Sequence, residues 1–394
     1  MFMIKKRNLI FIIIVSIIVG GLVAGGAIYF VGVASGGYMA ITKSEYEDYK
    51  QTKEKYKKLS ELEGYIEKYY YKPIEKSDLE VGMYKGLFYG LGDPYSQYLT
   101  EQEYKEIMIS TTGEYQGIGV TIAPDETGYI NVVAPIDDTP AQKAGVRSGD
   151  KIIQVAGKGY DASTIDAAVA EMRGKPGTTV DITVLRNGET LEFTITRANI
   201  IMQTVKSEIL KDNIGYIRIS SFEEKTAEDF KQHLRDLELS GVDGFVLDLR
   251  DNGGGLVDVS VEIADQLLNE GIVTYTEDRE GNQLTYKSKN GATKLPFVVL
   301  INGGTASSSE ILTAAIKDHQ AGKVIGTTSY GKGVIQSLEE LPNGDAIKIT
   351  VMQYFSPNGH IIHDVGIEPD EVVEALTSDD KDVQLERAIE ILNR

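Results

Sequence analysis

The chain has 394 residues, 40 lysines and arginines against 59 aspartates and glutamates, a formal net charge of −19 at pH 7, and no cysteine. Its length exceeds that of one ordinary hydrophobic core and predicts two or three folded units. The lack of cysteine excludes disulfides, thiolate metal sites and a cysteine nucleophile, and the acidic surface disfavours nucleic acid as a partner because it would repel phosphate.

The N-terminal segment is first basic and then apolar. Lys5, Lys6 and Arg7 lie within residues 1–8, and residues 9–34 contain no charged side chain. This apolar run is long enough to span a bilayer and longer than the core of most signal peptides, so it predicts a transmembrane anchor; a cleaved signal peptide is the alternative. The basic cluster predicts that residues 1–8 face the cytoplasm and that the chain after the anchor is extracytoplasmic, at the cell membrane.

Residues 35–110 are predicted to form a helical stalk and the beginning of a folded domain. Leu59, Leu62 and Ile66 recur at helical spacing in a stretch rich in lysine, glutamate and tyrosine, which is typical of an exposed or packing helix. Further on, Asp93-Pro94 ends a helix and begins a turn, because the residue before a proline disfavours helical backbone. The residue types alone assign this turn no function.

Residues 113–197 are predicted to form a compact β-rich module. Two alternating apolar runs flank Asn187-Gly188, which predicts a hairpin, and a short helix is expected over residues 164–172. The order of elements resembles a PDZ domain over its whole length, and the resemblance places Gly117, Ile118, Gly119 and Val120 in its carboxylate-binding loop. Backbone N–H groups of such a loop hold a terminal carboxylate while the peptide extends a sheet edge. The alternative is that the glycines only shape a tight strand entry.

A layered α/β core is predicted from residue 198 to residue 376, because short apolar strands alternate there with helices; residues 377–394 are predicted to form a C-terminal helix. The strand that ends at Leu249 leads into three glycines, residues 253–255, and then into a helix. Glycine amides at a helix start are ready donors to an oxyanion. A simple packing turn would explain the same three glycines.

Two later motifs supply reactive groups. Ser307 precedes a helical run, where the helix dipole favours developing negative charge, although Ser307 with Glu310 also fits a capping box. Lys332 lies between glycines and would act as a base only if burial lowered its pKa. Gln336 can orient the amine without adding a negative charge, and both strand and helix geometry bring it to the same face as Lys332. The pattern indicates a Ser/Lys hydrolase.

In this order, the motifs resemble those of carboxyl-terminal processing peptidases of the tail-specific protease family, S41. The resemblance covers nearly everything after residue 34 and rests on the PDZ module, the Ser307 motif and residues 91–96, 248–255, 330–336 and 363–370. It implies a multidomain α/β and α+β fold with an N-terminal transmembrane helix and a PDZ domain inserted before or into a layered ClpP/crotonase-like peptidase core.

The resemblance also implies roles for single residues. Ser307 would be the nucleophile, Lys332 the general base and Gln336 the residue that orients Lys332. The oxyanion donors would be the amides of Gly253 and Ser308, although the family usually has alanine at the second position. The implied enzyme is a serine endopeptidase that needs no cofactor or metal, acts on proteins or peptides with free C-termini, and forms a homodimer through its N-terminal helices and residues 383–392. Arg173, at the end of the PDZ helix, is a candidate for carrying a signal from the PDZ domain to the active site; the alternative is a solvated charge at the end of a helix.

Four other interpretations stay open at this point. Residues 326–332 match most of a nucleotide-binding P-loop, but Gly333 stands where a metal-holding Ser or Thr belongs. His319, His360 or His363 would complete a Ser-His-Asp triad, and the last two form a His-x-x-His pair without a third metal ligand. The remaining two are a membrane-tethered PDZ adaptor with an inactive core and a crotonase-like hydrolase of small acyl substrates.

Overall fold

The computed structural model describes residues 14–23, 42–375 and 381–394, and the chain divides into two compact units after Gly82. Residues 1–8, the greater part of the predicted anchor 9–34, and residues 376–380 lie outside the described part. Within the described ranges, no helix combines the length and the apolar character needed to cross a membrane. The anchor therefore stays a prediction.

The first unit contains the helix Lys43–Tyr69. Thr42 begins it with a capping box, in which the Thr42 hydroxyl accepts from the Glu45 amide at 3.2 Å and the Glu45 carboxylate accepts from the Thr42 amide at 2.6 Å. No residue of this helix is buried. A second helix, Lys76–Tyr89, runs across the division between the two units.

A six-stranded sheet forms the centre of the second unit. Its strands lie in the order Val205–Ile209, Ile214–Ile219, Gly244–Asp248, Phe297–Ile301, Lys323–Gly326 and Glu371–Val372. All neighbours are parallel except the first two strands, which are antiparallel. Every residue of the two central strands is buried, which explains their nearly continuous apolar sequence, since a strand covered on both faces has no solvent side.

Helices cover both faces of this sheet. On one face, a single buried core contains apolar side chains of the helices Thr226–Ser240, Val257–Leu267 and Ser308–Asp318. On the other face, the helix Val383–Leu392 buries Ala388 and Ile389. The result is a helix–sheet–helix layering, the mixed α/β architecture that the alternation of strands and helices predicted.

A second sheet, entirely antiparallel, belongs to the same unit. The strand Ala346–Phe355 pairs with Val334–Glu340 along most of its length, with Gln97–Leu99 at its start and with Gly271–Asp278 at its end. The strand Gln283–Ser288 pairs in turn with Gly271–Asp278. The short strand Gln97–Leu99 therefore holds the turn at Asp93-Pro94 against a strand from the end of the chain.

The PDZ module has its own sheet and its own core. Its strands lie in the order Val120–Pro124, Ile130–Pro135, Lys151–Val155, Thr179–Arg186 and Glu189–Thr196, with Lys158–Gly159 beside the third, and its helices are Pro140–Ala144 and Ile165–Met172. Asn187 and Gly188 have φ values of 52° and 85°, as a two-residue hairpin turn of type I′ requires.

Two paired strands connect this module to the peptidase region. Glu114–Gly117 enters it after the helix Glu101–Thr112, and Ala198–Ile201 leaves it antiparallel to the entering strand. Gly113 ends the preceding helix with φ 68°, and a Cβ atom there would lie 2.0 Å from Glu223 Oε2. Glu223 is buried, and within the described chain its Oε2 has no hydrogen-bond partner, so burial raises the pKa of Glu223 to about 7.

Candidate active site

Two loops meet at one edge of the central sheet. The strands Gly244–Asp248 and Phe297–Ile301 are parallel neighbours, so the glycine loop after the first and Ser307 after the second lie at the same strand ends. The Ala306 amide donates to the Asn252 carbonyl at 2.9 Å and fastens the loops together. A Cβ atom on Gly254, whose φ is 97°, would lie 2.8 Å from Ser307 Cβ. Only glycine fits this approach.

Ser307 adopts φ 58° and ψ −120° directly before the helix Ser308–Asp318. This conformation is uncommon outside glycine and costs about 1–3 kcal/mol, which the surrounding contacts must offset. Within the described chain, the amides of Gly253 and Ser308 donate to no protein acceptor. The Ser308 amide is one of the N–H groups that a helix start leaves unpaired. Both predicted oxyanion donors are therefore available in the structure.

A buried carboxylate joins the Ser307 helix to the loop that carries Lys332. Glu310 Oε2 accepts hydrogen bonds from the amides of Ser307 and Lys332, both at 2.8 Å. Glu310 Oε1 accepts from the Ser329 hydroxyl at 2.6 Å and the Gly331 amide at 2.7 Å. The contact with Ser307 is the one expected of a capping box, but the carboxylate also fixes the backbone of Lys332 relative to Ser307.

A tyrosine reinforces the same connection. Tyr354 is completely buried, and its hydroxyl lies against the carbonyl oxygens of Ser307, at 3.1 Å, and of Lys332. Because a buried hydroxyl needs a hydrogen-bond acceptor, the ring stays in place between the two backbones. Burial also raises the pKa of Tyr354 well above its ordinary value, so the hydroxyl remains a donor.

Lys332 is half-buried, and its surroundings make the charged form of its amine less favourable. Burial lowers the pKa of Lys332, and the positive charge of Lys348 lowers it further, while the carboxylates of Asp93 and Glu310 act in the opposite direction. The Nζ atom lies 5.0 Å from the centre of the Tyr95 ring. A lysine whose pKa is lowered in this way is suited to accept a proton.

Gln336 belongs to a network that begins at the Asp93-Pro94 turn. The Ser96 hydroxyl donates to Asp93 at 2.5 Å and accepts from the Thr350 amide at 2.9 Å, and the Gln336 side-chain amide donates to the Thr350 hydroxyl at 3.1 Å. Within residues 42–375, no hydrogen bond joins Gln336 to Lys332. Because Gln336 uses its NH₂ group on Thr350, its carbonyl oxygen is left as an acceptor.

One cavity brings most of the predicted site residues together. It has a volume of about 470 Å³, and Gly253, Ser307, Lys332 and Gln336 all line it. Ser308 is fully buried, and its hydroxyl donates to the Gly255 carbonyl at 2.8 Å. Within one cavity the structure thus offers a hydroxyl, a half-buried amine and an unpaired glycine amide.

A second cavity, of about 290 Å³, contains the predicted carboxylate-binding loop. Gly117, Ile118, Gly119 and Val120 line it together with Ile122, Val169, Met172 and Arg173. Gly119 has φ 80°, and a Cβ atom there would lie 2.3 Å from Thr139 Cβ, so the loop requires glycine. Within the described chain, the amides of Ile118 and Gly119 donate to no protein acceptor. The loop therefore matches the geometry of a carboxylate site with an apolar floor.

Residues outside the PDZ module complete the second cavity. Ile109, from the helix Glu101–Thr112, and Met202, just after the leaving strand, also line it. The Arg173 guanidinium lies over the Tyr115 ring at 5.8 Å. A peptide in this groove would therefore contact side chains of the peptidase region as well as the PDZ module.

The competing interpretations find little support in the geometry. None of the three histidines lines the cavity that contains Ser307: His319 lies at the far end of the Ser307 helix with Nε2 2.7 Å from the Ile272 carbonyl, and His363 Nδ1 accepts from the Gly333 amide at 3.4 Å. A P-loop would require a helix after residue 333, where the structure has the strand Val334–Glu340. In the described ranges, no three His, Cys, Asp or Glu residues are grouped as metal ligands.

The sequence did not reveal several residues that the structure places at this site. Tyr95 contacts the Lys332 amine, and burial together with a hydrogen bond to Tyr330 raises the pKa of Tyr95 to about 12, so its ring carries no charge. Lys348 lines the cavity. Glu310 and Tyr354 hydrogen-bond to the backbones of Ser307 and Lys332. The signals in the sequence were the proline turn before Tyr95 and the capping box of Ser307 with Glu310.

Comparison with known proteins identifies both domains. Residues 213–373 match the description "Peptidase family S41", and residues 116–196 match "PDZ domain". The chain is 36% identical over 340 residues to the carboxyl-terminal-processing protease of Synechocystis, covering 83% of this chain and 80% of the relative. It is 35% identical over 318 residues to the carboxy-terminal processing protease CtpA of Bacillus subtilis, covering 80% and 68%.

A solved structure titled photosystem II D1 C-terminal processing protease is also similar, with 27% identity, a TM-score of 0.49, and coverage of 82% of this chain and 89% of that one. Taken with the site, the sequence matches define the class: this is a serine peptidase that carries a PDZ domain. The chain belongs to peptidase family S41, among the carboxyl-terminal processing proteases. The resemblance predicted from the sequence is confirmed.

Proposed function

We propose that this chain is a membrane-anchored endopeptidase that cleaves extracytoplasmic proteins or peptides after the PDZ domain has bound their C-termini. Ser307 is the nucleophile, Lys332 is the general base, and Gln336 orients Lys332. The observation that carries this proposal is the single cavity lined by these three residues and by Gly253, in which burial lowers the pKa of the lysine.

The chemistry follows from the groups in that cavity. Neutral Lys332 takes the proton from Ser307 Oγ as this oxygen attacks the peptide carbonyl carbon, and the amides of Gly253 and Ser308 donate to the oxyanion. Lys332 then gives the proton to the departing amine, leaving an ester on Ser307. Water hydrolyses the ester, with Lys332 again acting as base. The unpaired state of both amides in the structure supports their role as oxyanion donors.

Selection of the substrate follows from the groove of the PDZ module. The terminal carboxylate accepts hydrogen bonds from the loop amides between Gly117 and Val120, and an apolar terminal side chain fills the space beside Val169 and Met172. Arg173 couples the binding of a peptide in this groove to the peptidase region. Its supporting observation is the stacking of Arg173 on Tyr115, which lies on the strand that enters the module.

Membrane attachment and dimerisation are part of the same proposal. The apolar residues 9–34 anchor the chain in the cell membrane with residues 1–8 in the cytoplasm. A homodimer forms through the N-terminal helices and residues 383–392. The helix Lys43–Tyr69 has no buried residue and exposes Leu59 and Leu62, which supports a contact with a second copy.

The decisive experiment compares full-length wild type, Ser307→Ala and Lys332→Ala on an unfolded reporter protein with and without an apolar C-terminal tail. We expect wild type to cleave the tailed reporter faster and both variants to lose cleavage while still binding the tail. Cleavage that survives Ser307→Ala would overturn the assignment of the nucleophile. Tail binding by wild type without cleavage would favour the PDZ adaptor, and turnover of small esters without peptide cleavage would favour a small acyl hydrolase.

Localisation and assembly have separate tests. Added protease should digest the catalytic part from the outside of intact cells, and the chain should remain in the membrane fraction. Release of a shortened chain into the medium would instead indicate a cleaved signal peptide. Sedimentation of the purified full-length chain should give twice the mass of one copy, and a single-copy mass would contradict the dimer.

A further inference from the structure

A second lysine lies in the cavity that contains Ser307 and Lys332. Lys348 is on the strand Ala346–Phe355, opposite Leu338, and Thr350 on the same strand is opposite Gln336. Because residues two apart on a strand share a face, Lys348 lies on the same face of the sheet as the pair formed by Thr350 and Gln336. The Lys348 side chain thus reaches the candidate site from the strand Ala346–Phe355, whose Thr350 hydroxyl accepts the hydrogen bond of Gln336.

The charges around Lys348 are few. It is half-buried and, within the described chain, forms no ion pair within 4 Å. Asp93 is the carboxylate that acts on both lysines, and Glu310 acts on Lys332 alone. The helix Glu101–Thr112 and the strand Val334–Glu340 present uncharged side chains to the same cavity, namely Ile107, Ser110, Thr111, Val334, Ile335, Gln336 and Leu338.

Lys332 and Lys348 line the same half-buried cavity, and Asp93 is the one carboxylate that acts on both of them. Repulsion between like charges favours loss of a proton from one of them. Lys332 is the one whose backbone is fixed beside Ser307, through Glu310 and Tyr354. Burial lowers the pKa of Lys348 as well, and Asp93 raises it, so Asp93 helps Lys348 keep its charge.

We propose that Lys348 is a positioning residue for the reaction: its positive charge keeps the neighbouring Lys332 in the neutral form that accepts the proton of Ser307. The inference rests on the proposed roles of Ser307 and Lys332. It assigns Lys348 no contact with the reacting atoms. It gives a role to a lysine that lines the cavity without an ion-pair partner in the part of the chain that the structure describes.

The test is the pH dependence of kcat/KM for full-length Lys348→Met, Lys348→Arg and wild type, on a tailed reporter whose cleavage region has no ionisable side chain. The acidic limb of this profile reports the base of the free enzyme. Removing the neighbouring cation should move the limb of Lys348→Met to higher pH. We expect kcat/KM at pH 7 to fall roughly tenfold, equivalent to about 1.4 kcal/mol, and to recover at alkaline pH. Lys348→Arg should retain the wild-type profile.

Controls separate this inference from the proposed function and from misfolding. Lys206→Met removes an exposed lysine that forms no ion pair in the described chain, and its profile should match wild type. Lys348→Gln provides a second neutral variant should Lys348→Met unfold. An unmoved acidic limb, or a rise in KM alone, would overturn the inference while loss of cleavage in Ser307→Ala still supports the proposed function. Cleavage that persists in Ser307→Ala would instead refute the proposed function itself.

Discussion

Replacing Glu310 by glutamine tests whether its carboxylate fixes the positions of Ser307 and Lys332 relative to each other. Each carboxylate oxygen has two donors, so an NH₂ group must replace one of the two acceptors. On the Oε2 side it would face the amides of Ser307 and Lys332, which cannot accept. On the Oε1 side it would face the Ser329 hydroxyl, which can accept, and the Gly331 amide, which cannot. Glutamine should therefore place its NH₂ group toward Ser329.

The magnitude follows from this count. The Gly331 N–H group loses its acceptor, which costs about 1–3 kcal/mol, and the Ser329 hydroxyl hydrogen loses the same acceptor. The bonds to Ser307 and Lys332 lose the strengthening that a charged acceptor gives. We expect Glu310→Gln to lower the free energy of unfolding by roughly 2–4 kcal/mol. Glu310→Ala, which leaves four donors without a partner in a buried site, should lower it much further.

The assay combines urea unfolding with cleavage of the tailed reporter, and kcat should fall more than KM changes because the reacting groups lose their alignment. Glu192→Gln is the matched control, since Glu192 is exposed and forms no ion pair or side-chain hydrogen bond within the described chain. If Glu310→Gln unfolds and cleaves like this control, the carboxylate does not hold the site together and the reasoning is wrong.

Four further substitutions test other parts of the structure. Tyr354→Phe removes the donor to the Ser307 carbonyl and should cost about 1–3 kcal/mol in urea unfolding, with a larger loss in kcat than in affinity; unchanged kcat would contradict this. Gly254→Ala should abolish cleavage and destabilise the fold, whereas Gly253→Ala, which meets no atom within 4 Å, should change the free energy of unfolding by less than about 1 kcal/mol. Glu223 has a folded-state pKa of about 7, above its unfolded value, so its contribution to stability is present at acidic pH and lost as pH rises through 7. Glu223→Gln should therefore gain roughly 3 kcal/mol relative to wild type between pH 4.5 and pH 8, and a difference independent of pH would refute this.

The parts of the fold that depend on local sequence pattern could be predicted from the sequence. The short apolar runs between residues 198 and 376 predict strands, and the turn at Asn187-Gly188 predicts a hairpin, because burial and positive φ values restrict which residues fit. The chemistry of their side chains and amides marks Ser307, Lys332 and Gly253 as candidates. The cavity that they share depends on which strands are neighbours, and the sequence pattern does not determine this.

What escaped prediction depends on contacts between distant segments. Tyr95 lies beside Lys332 only because the strand Gln97–Leu99 pairs with Ala346–Phe355, and a three-residue strand has too little pattern to predict its partner. Glu310 looked like an ordinary helix cap, since nothing in the sequence shows that the same carboxylate also reaches the loop before Val334. Lys348 has the alternating pattern of a surface strand, and its place in a cavity follows from tertiary packing alone.

The pairing of Gln97–Leu99 with the strand Ala346–Phe355 also determines how much of the chain must be synthesised before the site can form. Contacts between residues far apart in sequence form late, because a long loop must close first. The turn that brings Tyr95 to the Lys332 amine cannot be docked until synthesis has passed residue 348. A chain whose synthesis has not reached this strand therefore lacks the finished site.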